Sequence, residues 1–277
     1  MKEVKLEEYN IIFKNFGKLT LIAGPCVIED YDTTFLIAKT LKEITQKLDI
    51  QFIFKASFDK ANRSSIKSYR GPGLKKGIQV LGDIKEKLNI PITTDIHESY
   101  QAEYVKDVVD IIQIPAFLSR QTDLLKSAAL TGKIVNIKKA QFMSGNDMKN
   151  VIEKTKYFGN DKILLTERGT MFGYNNLVVD FRNMLIMREF GYPVVYDATH
   201  SLQRPSGMGT ISGGDREFIP HLIYATAGMG INIFFMEVHP EPEKAKSDPA
   251  TSYWLDKMEN LLSNIKKLWK TSLSIYT

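Results

Sequence analysis

Residues 19–56 read LTLIAGPCVIEDYDTTFLIAKTLKEITQKLDIQFIFKA, and the pattern within that stretch decides the fold. Leu19–Val27 and Gln51–Ala56 are short, nearly continuous apolar runs, as expected of strands buried on both faces. Between them Ile37, Leu41, Ile44 and Leu48 recur at steps of four, three and four, which is one face of a helix. Strand, helix and strand in that order make a βαβ unit. The turn after the first run, AGPCVIED, lacks the GxGxxG of a dinucleotide-binding turn, so an open doubly wound sheet is the second choice of fold.

The same rhythm continues outward. Further runs lie at Ile90–Ile96, Ile111–Phe117, Ile134–Lys139, Ile163–Arg168, Pro193–Thr199 and Ile231–Val238, making eight. Leu74, Ile78, Leu81 and Leu88 form a second helical stripe, and Trp254, Met258, Leu261, Ile265 and Leu268 form another after the eighth run. Eight alternations predict an α/β fold of the (β/α)8 TIM-barrel type, one domain over 1–277, with the first eighteen residues as a short N-terminal cap on its bottom. Two loops rich in Gly, Pro and Ser, at 204–214 and 239–250, are expected to lie over a site.

Composition narrows the function. Hydrophobic residues make up 43% and charged residues 25%, an ordinary globular profile that excludes disorder and collagen-like repeats. One cysteine excludes an intrachain disulfide and suits a reducing cytoplasm. No apolar run approaches the roughly 20 residues needed to span a bilayer. Thirty-seven Lys and Arg against 32 Asp and Glu give +5, which suits anionic small molecules as well as nucleic acid. A nucleic-acid binder would gather its cations on one exposed face, whereas the notable ones here end buried runs. The expected partners are therefore small molecules, not nucleic acid or membrane.

In a barrel of this type, active groups project from the C-terminal ends of the strands. Those ends read Cys26, Lys55, Asp95 with His97, Gln113, Lys138 with Lys139, Arg168, Asp197 with His200, and Glu237 with His239. Any one of them is ordinary where a strand meets solvent. Eight in series, with Lys or Arg at several and without an equal set of local acids, point to a ligand bearing phosphate and carboxylate groups. The densest cluster is FKASFDKANRSSIKSYRGPGL at 54–74, with Lys55, Lys60 and Arg63 among Ser57, Asn62, Ser64 and Ser65. Either it is a solvated basic loop, or its Ser and Asn cap a helix whose free N–H groups attract phosphate. Cys26, His200, Glu237 and Asp248 fall after strands 1, 7 and 8, which adjoin in a closed barrel. One thiolate, one imidazole and two carboxylates there suit a divalent transition ion: Zn, Fe, Mn or Co.

The blocks FKASFDKANRSS, RGPGL, DIIQIPAFLSRQTDL, VNIKKAQF, ERGTMFGYNNLVVDFR, YDATHSLQ and EVHPEPEKAKSD run in order over about residues 20 to 250. Together they resemble the 3-deoxy-D-manno-octulosonate 8-phosphate synthases. The resemblance implies a barrel that condenses phosphoenolpyruvate with D-arabinose 5-phosphate for the inner core of lipopolysaccharide, in a cytoplasmic homotetramer. By the same resemblance Lys138 and Arg168 clamp the phosphoenolpyruvate phosphate, with Lys55, Ser57 and Gln113 as its other contacts. Lys60, Asn62 and Asp95 hold the sugar hydroxyls, Arg63 and Ser64 take the sugar phosphate, and Arg120 reaches it from a neighbouring subunit. The groups expected nearest the chemistry are Lys55, Lys60, Asp95, Lys138 and His200. Cysteine rather than asparagine at position 26 marks the metal-dependent class, with Cys26, His200, Glu237 and Asp248 as ligands. A sibling synthase using erythrose 4-phosphate is the alternative, although KANRSS at 60–65 differs from the KPRT-like sequence typical there.

Overall fold

Successive side chains of a β-strand point to opposite faces, and in this chain that alternation sorts what lies inside the barrel from what lies outside. The computed structural model describes residues 1–205 and 213–277. A hairpin of β1 (Val4–Leu6) and β2 (Ile11–Phe13) precedes β3 (Thr20–Gly24), α1 (Tyr31–Lys47), β4 (Gln51–Lys55) and α2 (Leu74–Leu88). Then come β5 (Ile92–Asp95), α3 (Gln101–Val105), β6 (Ile111–Ile114), α4 (Thr122–Leu130), β7 (Ile134–Lys138) and α5 (Met148–Tyr157). After β8 (Ile163–Glu167) lie a hairpin of β9 (Thr170–Gly173) and β10 (Asn176–Val178), then α6 (Phe181–Glu189) and β11 (Val194–Asp197). The two-residue strands β12 (Gln203–Arg204) and β13 (Gly213–Gly214) pair before α7 (Ile219–Gly228). The chain ends with β14 (Ile233–His239), β15 (Tyr253–Trp254) and α8 (Met258–Tyr276).

Strands β3 to β8, β11 and β14 are parallel neighbours, and pairing of β11 with β14 closes the ring. This is the (β/α)8 barrel expected from the eight runs. Ile22, Ile53, Ile111, Ile134, Leu164 and Val195 point inward at the lower end and pack with Val4, Ile11 and Phe13 of the first hairpin. The hairpin is thus an apolar plug under the barrel, as expected of the cap. The residues next to these in sequence, such as Leu21, Phe54, Ile112, Val135, Leu165 and Phe234, point outward into the core shared with the helices.

Higher in the barrel the interior turns polar. Thr166 Oγ1 donates to Asn136 Oδ1 at 2.6 Å, and Asn136 Nδ2 donates to Gln113 Oε1 at 3.3 Å. The next inward positions are Lys55, Asp95, Lys138, Asp197 and Glu237, all buried. Apolar floor, amide belt and charged mouth follow one another along the axis.

Two local expectations change. Trp254 belongs to β15, paired beside β14, and the last helix begins only at Met258. Asn62, Ser64 and Ser65 cap no helix, because α2 starts at Leu74 with Gly73 at its N-cap. Residues 206–212 of the loop expected over the site lie outside the described residues. Truncating Phe13, which is fully buried in the plug, to alanine is expected to cost about 3–5 kcal/mol of stability. Urea unfolding followed by circular dichroism checks this, and a loss below about 1 kcal/mol would mean the hairpin is not part of the core.

Candidate active site

The mouth is built from strand ends brought close by the barrel. A Cβ on Gly24 would fall 2.0 Å from the Lys55 carbonyl oxygen, so only glycine lets β3 lie this close to β4. Lys55 Nζ then reaches Glu237 Oε1 of β14 at 3.0 Å, the Cys26 carbonyl at 3.3 Å and Asp95 Oδ1 at 4.0 Å. Lys60 Nζ lies 3.6 Å from the same Glu237 oxygen. Across the ring, Lys138 Nζ donates to Asp197 Oδ2 at 2.6 Å and sits 3.7 Å from the centroid of the Phe235 ring, a cation–π contact.

Asp197 organises its side of the mouth. Its Oδ1 accepts from the backbone N–H of His200 at 2.9 Å and of Thr199 at 3.2 Å, while Oδ2 accepts from His200 Nδ1 at 2.7 Å. With Nδ1 engaged by Asp197, Nε2 is the ring nitrogen that faces the cluster. Burial opposes the charge on Asp197, but His200 and Lys138 outweigh it and keep the carboxyl well below the usual carboxylate range. Glu237 is likewise held ionised against its burial, by His200, Lys55 and Lys60.

Cys26, Glu237 and Asp248 each offer a ligand atom, all within 4.8 Å of one another. His200 Nε2 lies 3.3 Å from Glu237 Oε1 and 3.9 Å from Asp248 Oδ2. Cys26, Glu237 and Asp248, far apart in sequence, therefore meet at one point, with His200 beside the two carboxylates. Glu237 Oε2 is buried and has no hydrogen-bond partner among the described residues, a deficit that a cation would fill. Burial, and then the charge of Glu237, push the Cys26 thiol well above its usual range. A neighbouring metal ion reverses that balance and favours the thiolate. Sulfur, imidazole and carboxylate together form a donor set compatible with a metal.

Beside this cluster opens a cleft of about 610 Å³, lined by Lys55, Lys60, Asn62, Arg63, Ser64, Asp95, Gln113, Lys138, Arg168, His200 and Asp248 among others. Eleven of the sequence-predicted residues thus share one mouth. Two further predicted residues do not line it. Ser57 is fully buried beneath the cleft, its hydroxyl donating to Asp95. Arg120 is exposed and lies outside the cleft of its own chain. Lys and Arg outnumber Asp and Glu along the cleft, as the sequence suggested, although Lys55 and Lys60 share Glu237 and Lys138 faces Asp197. Of the cleft cations named above, only Arg63 and Arg168 pair with no carboxylate among the described residues. Arg168 Nη2 donates to Gln203 Oε1 at 2.7 Å, and its buried Nη1 has no partner there. Arg63 donates only to the carbonyls of Tyr69 and Lys246, at 3.1 and 3.2 Å.

Sequence reasoning noted Asp197 as a strand end without giving it a role, and it missed Ser247, whose Oγ lies 2.7 Å from Cys26 Sγ. The Asp197-to-His200 spacing was the available signal, since a carboxylate three residues before a histidine can reach back to its ring. Nothing in the sequence marks Ser247.

The comparisons agree with this geometry. The profile of the DAHP synthetase I family matches residues 3–274. Among curated relatives, a 2-dehydro-3-deoxyphosphooctonate aldolase of Fusobacterium nucleatum is 53% identical over 93% of this chain and 93% of its own. Proteins of the same name from Cyanothece and from Legionella pneumophila are each 54% identical, over 88% and 90% of this chain and 90% of their own lengths. A closed parallel barrel, a cation-lined mouth and identity of this extent lead to one placement: the chain belongs to the DAHP synthetase I family, beside its 2-dehydro-3-deoxyphosphooctonate aldolases.

Proposed function

We propose that this chain condenses phosphoenolpyruvate with D-arabinose 5-phosphate and water, giving 3-deoxy-D-manno-octulosonate 8-phosphate and inorganic phosphate. The observation that carries the reading is the pair of arginines without carboxylate partners among the described residues, Arg63 and Arg168, in a cleft where Lys55, Lys60 and Lys138 are each paired with a carboxylate. Two separate anion sites in one mouth suit two phosphorylated reactants. The relatives' name supplies the product class, and KANRSS at 60–65 favours the five-carbon sugar. The erythrose 4-phosphate alternative is not favoured, although the family profile takes its name from the sibling activity.

Arg168 and Lys138 receive the phosphoenolpyruvate phosphate, with the idle Nη1 of Arg168 as the first donor to engage. Lys55 and Gln113 hold the rest of that molecule. Lys60, Asn62 and Asp95 hold the sugar hydroxyls, and Arg63 and Ser64 its phosphate. Fixing two mutually repelling anions face to face supplies a large part of the rate, since positioning is worth roughly 7–11 kcal/mol of barrier. The C3 carbon of phosphoenolpyruvate bonds to the aldehyde carbon, whose oxygen takes a proton. Water adds to C2 and loses a proton, and the C2–O bond to phosphate then breaks as the new C2 hydroxyl gives up its proton, leaving the ketone and inorganic phosphate. Fixed donors in the buried mouth stabilise the charge that develops.

Cys26, His200, Glu237 and Asp248 would hold a divalent transition ion. Such an ion supplies Lewis-acid polarisation of an oxygen or a lowered pKa for a bound water. Asp197 then keeps His200 in the ligating tautomer. The assembly is a homotetramer in the cytoplasm, where the exposed Arg120 is free to serve a neighbouring copy. No helix among the described residues is long and apolar enough to cross a membrane.

Phosphate release from phosphoenolpyruvate tests the reading. Arabinose 5-phosphate is expected to support it far better than erythrose 4-phosphate, and a strong chelator is expected to abolish it until a divalent ion is restored. Preference for the four-carbon sugar would overturn the substrate, and full activity in chelator would overturn the metal. Arg63→Ala is expected to weaken arabinose 5-phosphate by about 1.5–3 kcal/mol and phosphoenolpyruvate little, the loss of one charge-assisted contact. Steady-state kinetics on both substrates check this, and equal losses would show that the two phosphates have been assigned wrongly.

A further inference from the structure

Lys139 and Glu167 stand next to Lys138 and Arg168 in sequence but face the opposite way. Both are fully buried behind the barrel wall, Nζ to Oε1 3.5 Å, and neither lines the cleft. Lys139 Nζ also reaches the carbonyls of Ala140 at 3.3 Å, Met143 at 3.0 Å and Gly169 at 3.4 Å, and Thr170 Oγ1 at 3.2 Å. Glu167 Oε1 accepts from the Gly169 N–H at 2.6 Å. One ion pair therefore ties together the loops that leave β7 and β8, immediately past the two residues that line the cleft. A further bond, Met171 N–H to the Gln141 carbonyl at 2.8 Å, joins the same loops.

Burying a lysine and a glutamate is costly, and apolar side chains of similar volume commonly serve stability as well or better. Stability is therefore a poor account of this pair. Its partners suggest another: every one of them belongs to a loop next to Lys138 or Arg168. We infer that Lys139 and Glu167 are positioning residues, which set the spacing and direction of Lys138 and Arg168 for one phosphate. The inference rests on the proposed function only in assigning that phosphate to phosphoenolpyruvate. Neither residue touches substrate. Each acts through its neighbour, by fixing the strand end from which that neighbour projects.

The test is the double variant Lys139→Met/Glu167→Gln. It removes both charges, while the glutamine oxygen still accepts from Gly169. The intact protein is expected to fold and to bind a divalent ion with unchanged stoichiometry. Its kcat/KM for phosphoenolpyruvate is expected to fall about 10²-fold, as a small misplacement of binding groups does. The KM for arabinose 5-phosphate is expected to stay within roughly threefold of the parent, since its contacts are untouched. Unchanged kinetics for phosphoenolpyruvate, or equal losses for both substrates, would overturn the inference. If the double variant does not fold, Glu167→Gln alone is judged by the same two criteria. Lys138→Met is measured alongside. Should it spare phosphoenolpyruvate, the proposed clamp itself fails; should it cost phosphoenolpyruvate while the pair variant does not, only the positioning role fails.

Discussion

Charge held out of water is the constraint on which the mouth of this barrel depends. Lys55, Lys138, Asp95, Asp197 and Glu237 are all nearly or wholly removed from solvent. In such surroundings an unpaired ion is untenable, so each charge is matched to another across the ring. Glu237 takes Lys55, Lys60 and His200, while Asp197 takes Lys138 and His200. The arrangement is close to balanced, apart from the open oxygen of Glu237 and the idle nitrogen of Arg168. A cation at the first and an anion at the second complete it. The same electrostatic logic would suit a cation and an anionic ligand in the one mouth.

Barrel geometry makes the balance possible. The interior passes from aliphatic residues packed on the hairpin, through the Gln113–Asn136–Thr166 amide belt, to the ionised ring. Each level supports the one above. The plug excludes water from below, and the belt, whose three side chains bond to one another, fixes the height at which the charged residues emerge. Cleft residues that do not come from strands are held by neighbouring loops. Asp248 adopts a left-handed backbone, φ 47°, and its carbonyl accepts from Thr251 and Ser252. Glu29 secures the same loop by accepting from the Lys246 N–H at 2.7 Å.

Much of this was legible in the sequence. The eight runs appear as eight barrel strands, because residues buried on both faces leave an apolar signal that little else produces. The grouping of Cys26, Glu237 and Asp248 was also legible once strands 1 and 8 were known to adjoin. Three things were not. Lys138 and Lys139 look alike in sequence, yet the two-residue period sends one to the cleft and the other behind the wall. The acids that pair with Lys55, Lys60 and Lys138 lie far along the chain, so the sequence did not show that these lysines are paired. Helix capping by Asn62, Ser64 and Ser65 failed because a long connection precedes α2, and loop length is weakly constrained by composition.

The most direct test of the central claim is a crystal structure of the protein with phosphoenolpyruvate bound. The account predicts the phosphate at the Arg168 guanidinium, its oxygens about 2.7–2.9 Å from Nη1 and from Lys138 Nζ. A phosphate seated instead at Arg63, or anywhere outside the ring of strand ends, would contradict it.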